Sequence, residues 1–154
     1  MTGLDGLPQI PTDQSLQKAR RREEAFAVMN RYLLLAPDDA EAHYRAAETG
    51  AALGKAAWEE TERLYQQALL LDPDNGDYRR RYGLRLYGVG KPGQARSQLD
   101  QVIEKDPGDA QAYFILGLVL QKEGEKEAAL SQYRKALSLR PGHGAYRKAV
   151  EALR

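Results

Sequence analysis

Three prolines, Pro73, Pro107 and Pro141, stand 34 residues apart, and each closes the same phrase, Leu-Asp-Pro, Lys-Asp-Pro or Leu-Arg-Pro, after a run of helix formers. A fixed period of this length marks an array of stacked helical hairpins, because each unit is too small to bury its own apolar face and must lean on its neighbours. The chain is therefore expected to be all-α, with a core that runs along a row of hairpins.

The most complete unit runs from Ala110 to Pro141 and reads as helix, turn at Gly124, helix. Tyr113, Leu116, Gly117, Leu120, Ala129, Tyr133 and Pro141 fall on the pattern W-x2-L-G-x2-Y, A-x3-F, P, with tyrosine in the tryptophan place, so the unit resembles the tetratricopeptide (TPR) repeat. Each position has a packing reason. Gly117 and Ala129 are small enough for the helices to approach closely, while Leu116, Tyr133 and Leu137 fill the space between them. One period earlier, Tyr82, Gly83, Leu86, Ala95, Leu99, Val102 and Pro107 repeat the series, with Arg79 where the bulky aromatic is expected. The next step back, from Pro73 to Pro37, is 36 residues, with Ala46, Ala47, Gly54, Trp58, Thr61, Tyr65, Ala68 and Leu69 in the matching roles. The two extra residues are expected around Lys55 to Ala57, lengthening that turn.

These matches divide the chain into a tail at 1–13, an N-terminal helix or degenerate half repeat at 14–37, three repeats at 38–73, 74–107 and 108–141, and a capping helix at 142–154. In the N-terminal segment, Ala25, Met29, Tyr32, Leu33 and Pro37 match only the second half of a repeat. Beyond Pro141, Tyr146, Ala149, Val150 and Leu153 follow i, i+3, i+4, i+7 spacing, as expected of a helix closing the apolar end of the stack. About seven helices account for the whole. The resemblance implies a TPR α-solenoid, a helical-hairpin array wound as a right-handed superhelix. Local signals agree. Asp38-Asp39, Asp74-Asn75 and Asp109 supply caps, Gly54, Gly88, Gly90 and Gly124 end first helices, and Pro92 sits where a second helix begins. No stretch alternates with period two, so no strand is expected.

The composition narrows the function. With 23 Lys and Arg against 22 Asp and Glu, the net charge of +1 gives no general basic face for nucleic acid. Cysteine is absent, which removes disulfides, thiol catalysis and cysteine metal sites. No segment reads as a leader or a membrane span, so a cytoplasmic protein is expected, or the soluble part of a larger secreted or membrane-anchored one. His43 and His143 are far apart, and each is expected at the surface or in a capping role, without a nucleophile or metal partner. Gly88-Val-Gly-Lys-Pro-Gly93 has the glycines and lysine of a phosphate loop, but proline follows the lysine and the segment joins two helices. Asp72 to Gly83 begins like a calcium loop, but its glycine comes one place early and Gly83 stands where a bidentate glutamate is required. The acidic pairs Glu23-Glu24 and Glu59-Glu60 fit solvated helix faces. An enzyme is not expected, nor any cofactor or metal.

What remains is a groove. In TPR proteins the first helix of each repeat lines a concave surface, and the resemblance puts Tyr44, Arg80, Arg81, Leu84, Tyr87, Phe114 and Leu118 on it, beside Glu48, Asp77 and Gln121. Arg79, Arg80, Arg81 and Arg85 against Asp77 leave that helix at net +3. A peptide or protein segment carrying both acidic and apolar residues is the expected partner, in an adaptor or assembly factor; a tail contact through Leu4, Asp5, Leu7 and Ile10, or weak self-association, is an alternative use of the surface. The lysine, asparagine and arginine clamp of chaperone-binding TPR proteins is missing, because Tyr44, Glu48, Arg81, Gln111 and Ile115 occupy its places. A second reading is a scaffold subunit that docks through its convex face or end helices.

Overall fold

A computed structural model describes residues 13–154, so the expected tail contact through Leu4, Asp5, Leu7 and Ile10 lies outside the described residues. Eight α-helices follow one another among the described residues, against the sequence count of about seven: α1 (Asp13–Leu35), α2 (Ala40–Ala51), α3 (Trp58–Leu71), α4 (Gly76–Gly88), α5 (Pro92–Lys105), α6 (Ala110–Lys122), α7 (Lys126–Leu139) and α8 (Gly144–Leu153). No strand occurs among the described residues. Three hairpins, α2 with α3, α4 with α5 and α6 with α7, pack side by side; α1 leans on α2 and α8 on α7. The fold is an α-solenoid of helical hairpins.

Short-range chemistry sets the boundaries. Asp39, Asn75 and Asp109 each accept a hydrogen bond from the backbone N–H three residues on, at 3.0, 3.1 and 2.9 Å, which satisfies a donor that the first turn leaves without a helical partner. Pro92 opens α5, where its missing N–H costs nothing. Gly54, Gly90 and Gly124 have φ of 76°, 84° and 84°, the left-handed turn that reverses the chain between the helices of a hairpin. After Gly54 comes a 3-10 turn, Gly54–Ala57, which holds the two residues that break the 34-residue period.

The core is a ladder of three positions per hairpin. Thr61, Tyr65 and Ala68, then Ala95, Leu99 and Val102, then Ala129, Tyr133 and Ala136, stand twelve, eight and five residues before successive prolines, and all are at most 3% exposed. Opposite them the first helices present small residues. A Cβ on Gly117 would lie 2.5 Å from Cδ1 of Tyr133 and closer still to Cε1, and one on Gly83 would lie 3.1 Å from Cγ of Leu99.

A second set of polar groups lies six residues after Pro37, Pro73 and Pro141, while Tyr113 holds that place after Pro107. His43 Nε2 pairs with the Pro37 carbonyl at 2.9 Å, and Arg79 and Arg147 donate to the carbonyls of Pro73 and Pro141 at 2.9 and 3.2 Å. This accounts for Arg79 in the aromatic place: its guanidinium satisfies the carbonyl that the helix break leaves open. It also corrects the expectation for His43, which is buried in α2 and bonded to the backbone, not at the surface or capping. His143 is the residue before α8 but makes no side-chain cap bond; its ring stacks on Tyr146 at 3.8 Å.

Candidate functional site

The first helices α2, α4 and α6 meet at one surface, where Tyr44, Arg80 and Arg81 of the residues singled out from the sequence come together. One hollow is lined jointly by Glu41 and Tyr44 of α2, Asp77, Arg80 and Arg81 of α4 and Gln111 of α6, so the three helices form one continuous strip. Tyr44 stacks on Tyr78 with ring centres 4.4 Å apart and planes at 17°, and meets Tyr65 edge-on at 6.4 Å. Farther along, half-buried Phe114 rests against Tyr133 and Tyr146 at 5.5 and 4.9 Å. Leu84, Tyr87 and Leu118 are half-buried members of the same apolar cluster.

The arginines are not equivalent. Arg80, with 17% of its side chain exposed, is gripped by Asp77 on its own helix and by Asp109, the cap of α6. Arg85 binds Glu48 of α2 through Nη2 at 2.9 Å and Nε at 3.3 Å. Arg79 donates to Gln98 at 3.0 Å as well as to Pro73. The net +3 of this helix is therefore largely spent on joining hairpins, a use that the charge count of α4 alone conceals because Glu48 and Asp109 lie on other helices. Arg81 alone of the four is exposed, and among the described residues its guanidinium makes no ion pair or hydrogen bond. It is close enough to Tyr44 and Glu48 to act on the ionisation of both.

Glu48 is the hinge of this network. Burial pushes its carboxyl up, but hydrogen bonds from Arg85 and Tyr65 outweigh that and hold it below the ordinary glutamate range. Burial, with the Glu48 carboxylate beside it, pushes the Tyr65 hydroxyl well up, so the tyrosine stays protonated as a donor. A depressed carboxylate stabilises the fold fully above its unfolded pKa of about 4.3, and that contribution fades as pH falls through the lower folded value. Glu48→Gln should therefore flatten the acid limb: urea midpoints of wild type and variant, compared between neutral pH and the region below about pH 4, should show the smaller fall in the variant.

Beyond Arg81 the strip opens into a pocket of about 440 Å³ lined by Ala51, Gly54, Lys55, Trp58, Leu84, Tyr87 and Val89 among others. Leu84 and Tyr87 are expected groove residues; Lys55, in the lengthened turn, and Trp58, the first residue of α3, are not. The sequence marked Lys55 only as part of a longer turn and Trp58 only as a packing position of its repeat. The rim is cationic. Lys122 lies over the Tyr87 ring at 4.8 Å, Lys91 over Trp58 at 5.6 Å, and Lys55 is exposed without an ion pair among the described residues. Lys91 is neutralised by Glu62 at 2.8 Å; Lys122 is not paired with any carboxylate among the described residues. No group of three or more metal-ligating side chains occurs among the described residues, and no described helix is long and apolar enough to cross a membrane.

Known proteins share the repeat sequence and the fold. A family model described as tetratricopeptide repeat matches residues 83–144. A 59-residue stretch is 46% identical to the probable biofilm formation methyltransferase WspC of Pseudomonas putida, covering 38% of this chain and 14% of that protein. Human tetratricopeptide repeat protein 7A is 35% identical over 81 residues, 53% of this chain and 9% of that protein. The chain thus spans only 9% to 17% of the curated relatives it matches. Among solved structures, MamA from Desulfovibrio magneticus RS-1 superimposes with a TM-score of 0.75 at 24% identity, covering 89% of this chain and 78% of that one. YrrB, described as a TPR protein with an unusual peptide-binding site, gives 0.67 at 27% identity, covering 90% of this chain and 70% of that one.

Proposed function

Because the chain is a tetratricopeptide repeat protein, a family of protein-interaction modules, we propose that it is a non-catalytic adaptor or assembly factor whose first-helix strip binds a partner segment bearing a carboxylate and a large apolar side chain. The observation that carries this reading is the pairing of Arg81, exposed and without an ion pair among the described residues, with an aromatic pocket farther along the same helix. Arg81 and Tyr87 are six residues apart on α4, about 9 Å at the helical rise. An extended ligand covers that distance in about three residues. The favoured partner therefore has an Asp or Glu about three residues from an aromatic or leucine side chain, the acid at Arg81 beside Tyr44 and the apolar group against Leu84, Tyr87 and Trp58. Phe114 and Leu118 extend the apolar floor, and Arg80 supports it from behind as an ion-paired strut. The peptide-binding site of YrrB fits this use of the fold.

Fluorescence anisotropy with labelled peptides, a glutamate and a tryptophan set at spacings of two to five in a Gly-Ser frame, tests the proposal. Arg81→Glu should weaken the best peptide about tenfold or more, since attraction is lost and repulsion added, with helical content unchanged. Affinity indifferent to Arg81→Glu and to Phe114→Ala would sink the groove and favour docking through the end helices, a reading with its own support in the exposed apolar residues of α1.

A further inference from the structure

The residues twelve, eight and five before each proline are sealed in all three hairpins because a first helix covers them. In α1 the same places before Pro37 hold Ala25, Met29 and Tyr32, and no first helix precedes them among the described residues: Ala25 is exposed, Tyr32 is 48% exposed and Met29 only half-buried. The opening continues through Val28 and Leu35, 62% and 87% exposed. Together Arg21, Ala25, Val28, Tyr32 and Leu35 step by four, three, four and three residues, the seam of a two-helix coiled coil. Phe26, Met29 and Leu33 already pack against the core, so this seam is a second apolar face on the same helix.

The opposite end of the array does not match this opening. Glu151 of α8 stands ten residues after Pro141, where Gly83 and Gly117 receive a second helix, and Arg147 and Glu151 are both exposed. A charged side chain at the place of closest approach blocks head-to-tail completion of a repeat. A closed twofold pairing of like surfaces remains.

We propose that α1 is a homodimerisation helix, its Ala25, Val28, Tyr32 and Leu35 seam packing antiparallel on the same seam of a second copy. Charge sets the direction. The N-terminal half of α1 carries Lys18, Arg20, Arg21 and Arg22 against Glu23 and Glu24, while its C-terminal half has Arg31 alone and is followed by Asp38, Asp39 and Glu41. With Val28 at the twofold axis, Lys18 of one copy lies past the last turn of the other copy's α1, beside the turn that carries Asp38. The last turn of α1 has no basic residue of its own, so the neighbour's cations also meet the negative end of the helix dipole. A parallel pair would set like charges together.

Sedimentation equilibrium of the full chain, from low to high micromolar concentration, reads the result. The mass should rise from 17.2 kDa toward twice that value, and Val28→Glu with Leu35→Glu should hold it at 17.2 kDa at every concentration, with an unchanged circular dichroism spectrum. Lys18→Glu should weaken the dimer and Lys18→Glu with Asp38→Lys restore it. A wild type that stays monomeric, with the seam open or covered within its own chain, or a dimer indifferent to the seam variant, overturns the proposal; failure of the charge swap to rescue overturns the antiparallel register. Because none of these residues lies on the first-helix strip, peptide binding by the seam variant is expected to be unaffected, and the two proposals fail separately.

Discussion

Gly117→Ala is expected to lower stability and Gly93→Ala to raise it, although both place one methyl group on a helix. At Gly93, in the first turn of α5, a Cβ meets nothing within 4 Å, so the gain is the chain entropy that alanine no longer loses, about 0.4 to 1 kcal/mol. At Gly117 the new carbon enters the Tyr133 ring, which is 1% exposed and hydrogen-bonded to Gln121 at 2.7 Å, so it has nowhere to turn. Overpacking of this kind costs about 1 to 3 kcal/mol, more than helix propensity returns. Ala129→Leu, from the other side of the same contact, should cost a similar amount. For a chain of this size that is a fall of roughly 3 to 10 °C in Tm. A thermal melt in which both glycine variants moved the same way would remove the close α6–α7 contact as the reason for glycine.

Removal of α8 should have a larger effect still. Tyr146 and Val150 are 3% and 4% exposed, the first closing a cluster with Ala110 and Ala136, and Phe114 stacks on the Tyr146 ring. At about 1.5 to 3 kcal/mol for each large side chain buried, truncation after Pro141 forfeits on the order of 3 to 6 kcal/mol and leaves an apolar strip in water. The shortened chain should melt well below the full one or self-associate on a sizing column. A monodisperse fragment of equal Tm would mean that α7 needs no cover.

Most of the fold was legible because the period carries it: prolines mark each unit, and caps and glycines fall at fixed distances from them. The sealed core positions followed from the same register. The count of helices was short by one. Charge was the least legible property. Arg80 and Arg85 look like free cations within α4, but Asp109 and Glu48, 29 and 37 residues away, claim them, and such pairs become visible only when hairpins stack. His43 was misplaced for a related reason. Its role, bonding the carbonyl of the preceding proline, repeats at Arg79 and Arg147 with arginine in place of histidine, so residue type alone conceals it. Trp58, read as a packing position, and Lys55, read as part of a longer turn, were given no place in the groove because the inserted turn has no counterpart in the other repeats.

That insertion also places the chain's single tryptophan, Trp58, in the wall of the pocket and near Lys91. The protein consequently carries its own optical reporter. An aromatic or aliphatic group entering beside the indole displaces water from it, so a titration can be followed in emission without a label. In an array whose units are coupled only to their neighbours, unfolding need not be simultaneous along its length. Emission on heating reports the melting of the α2–α4 junction, whereas far-ultraviolet ellipticity averages over every helix, and any gap between the two curves measures how independently the two ends of the array come apart.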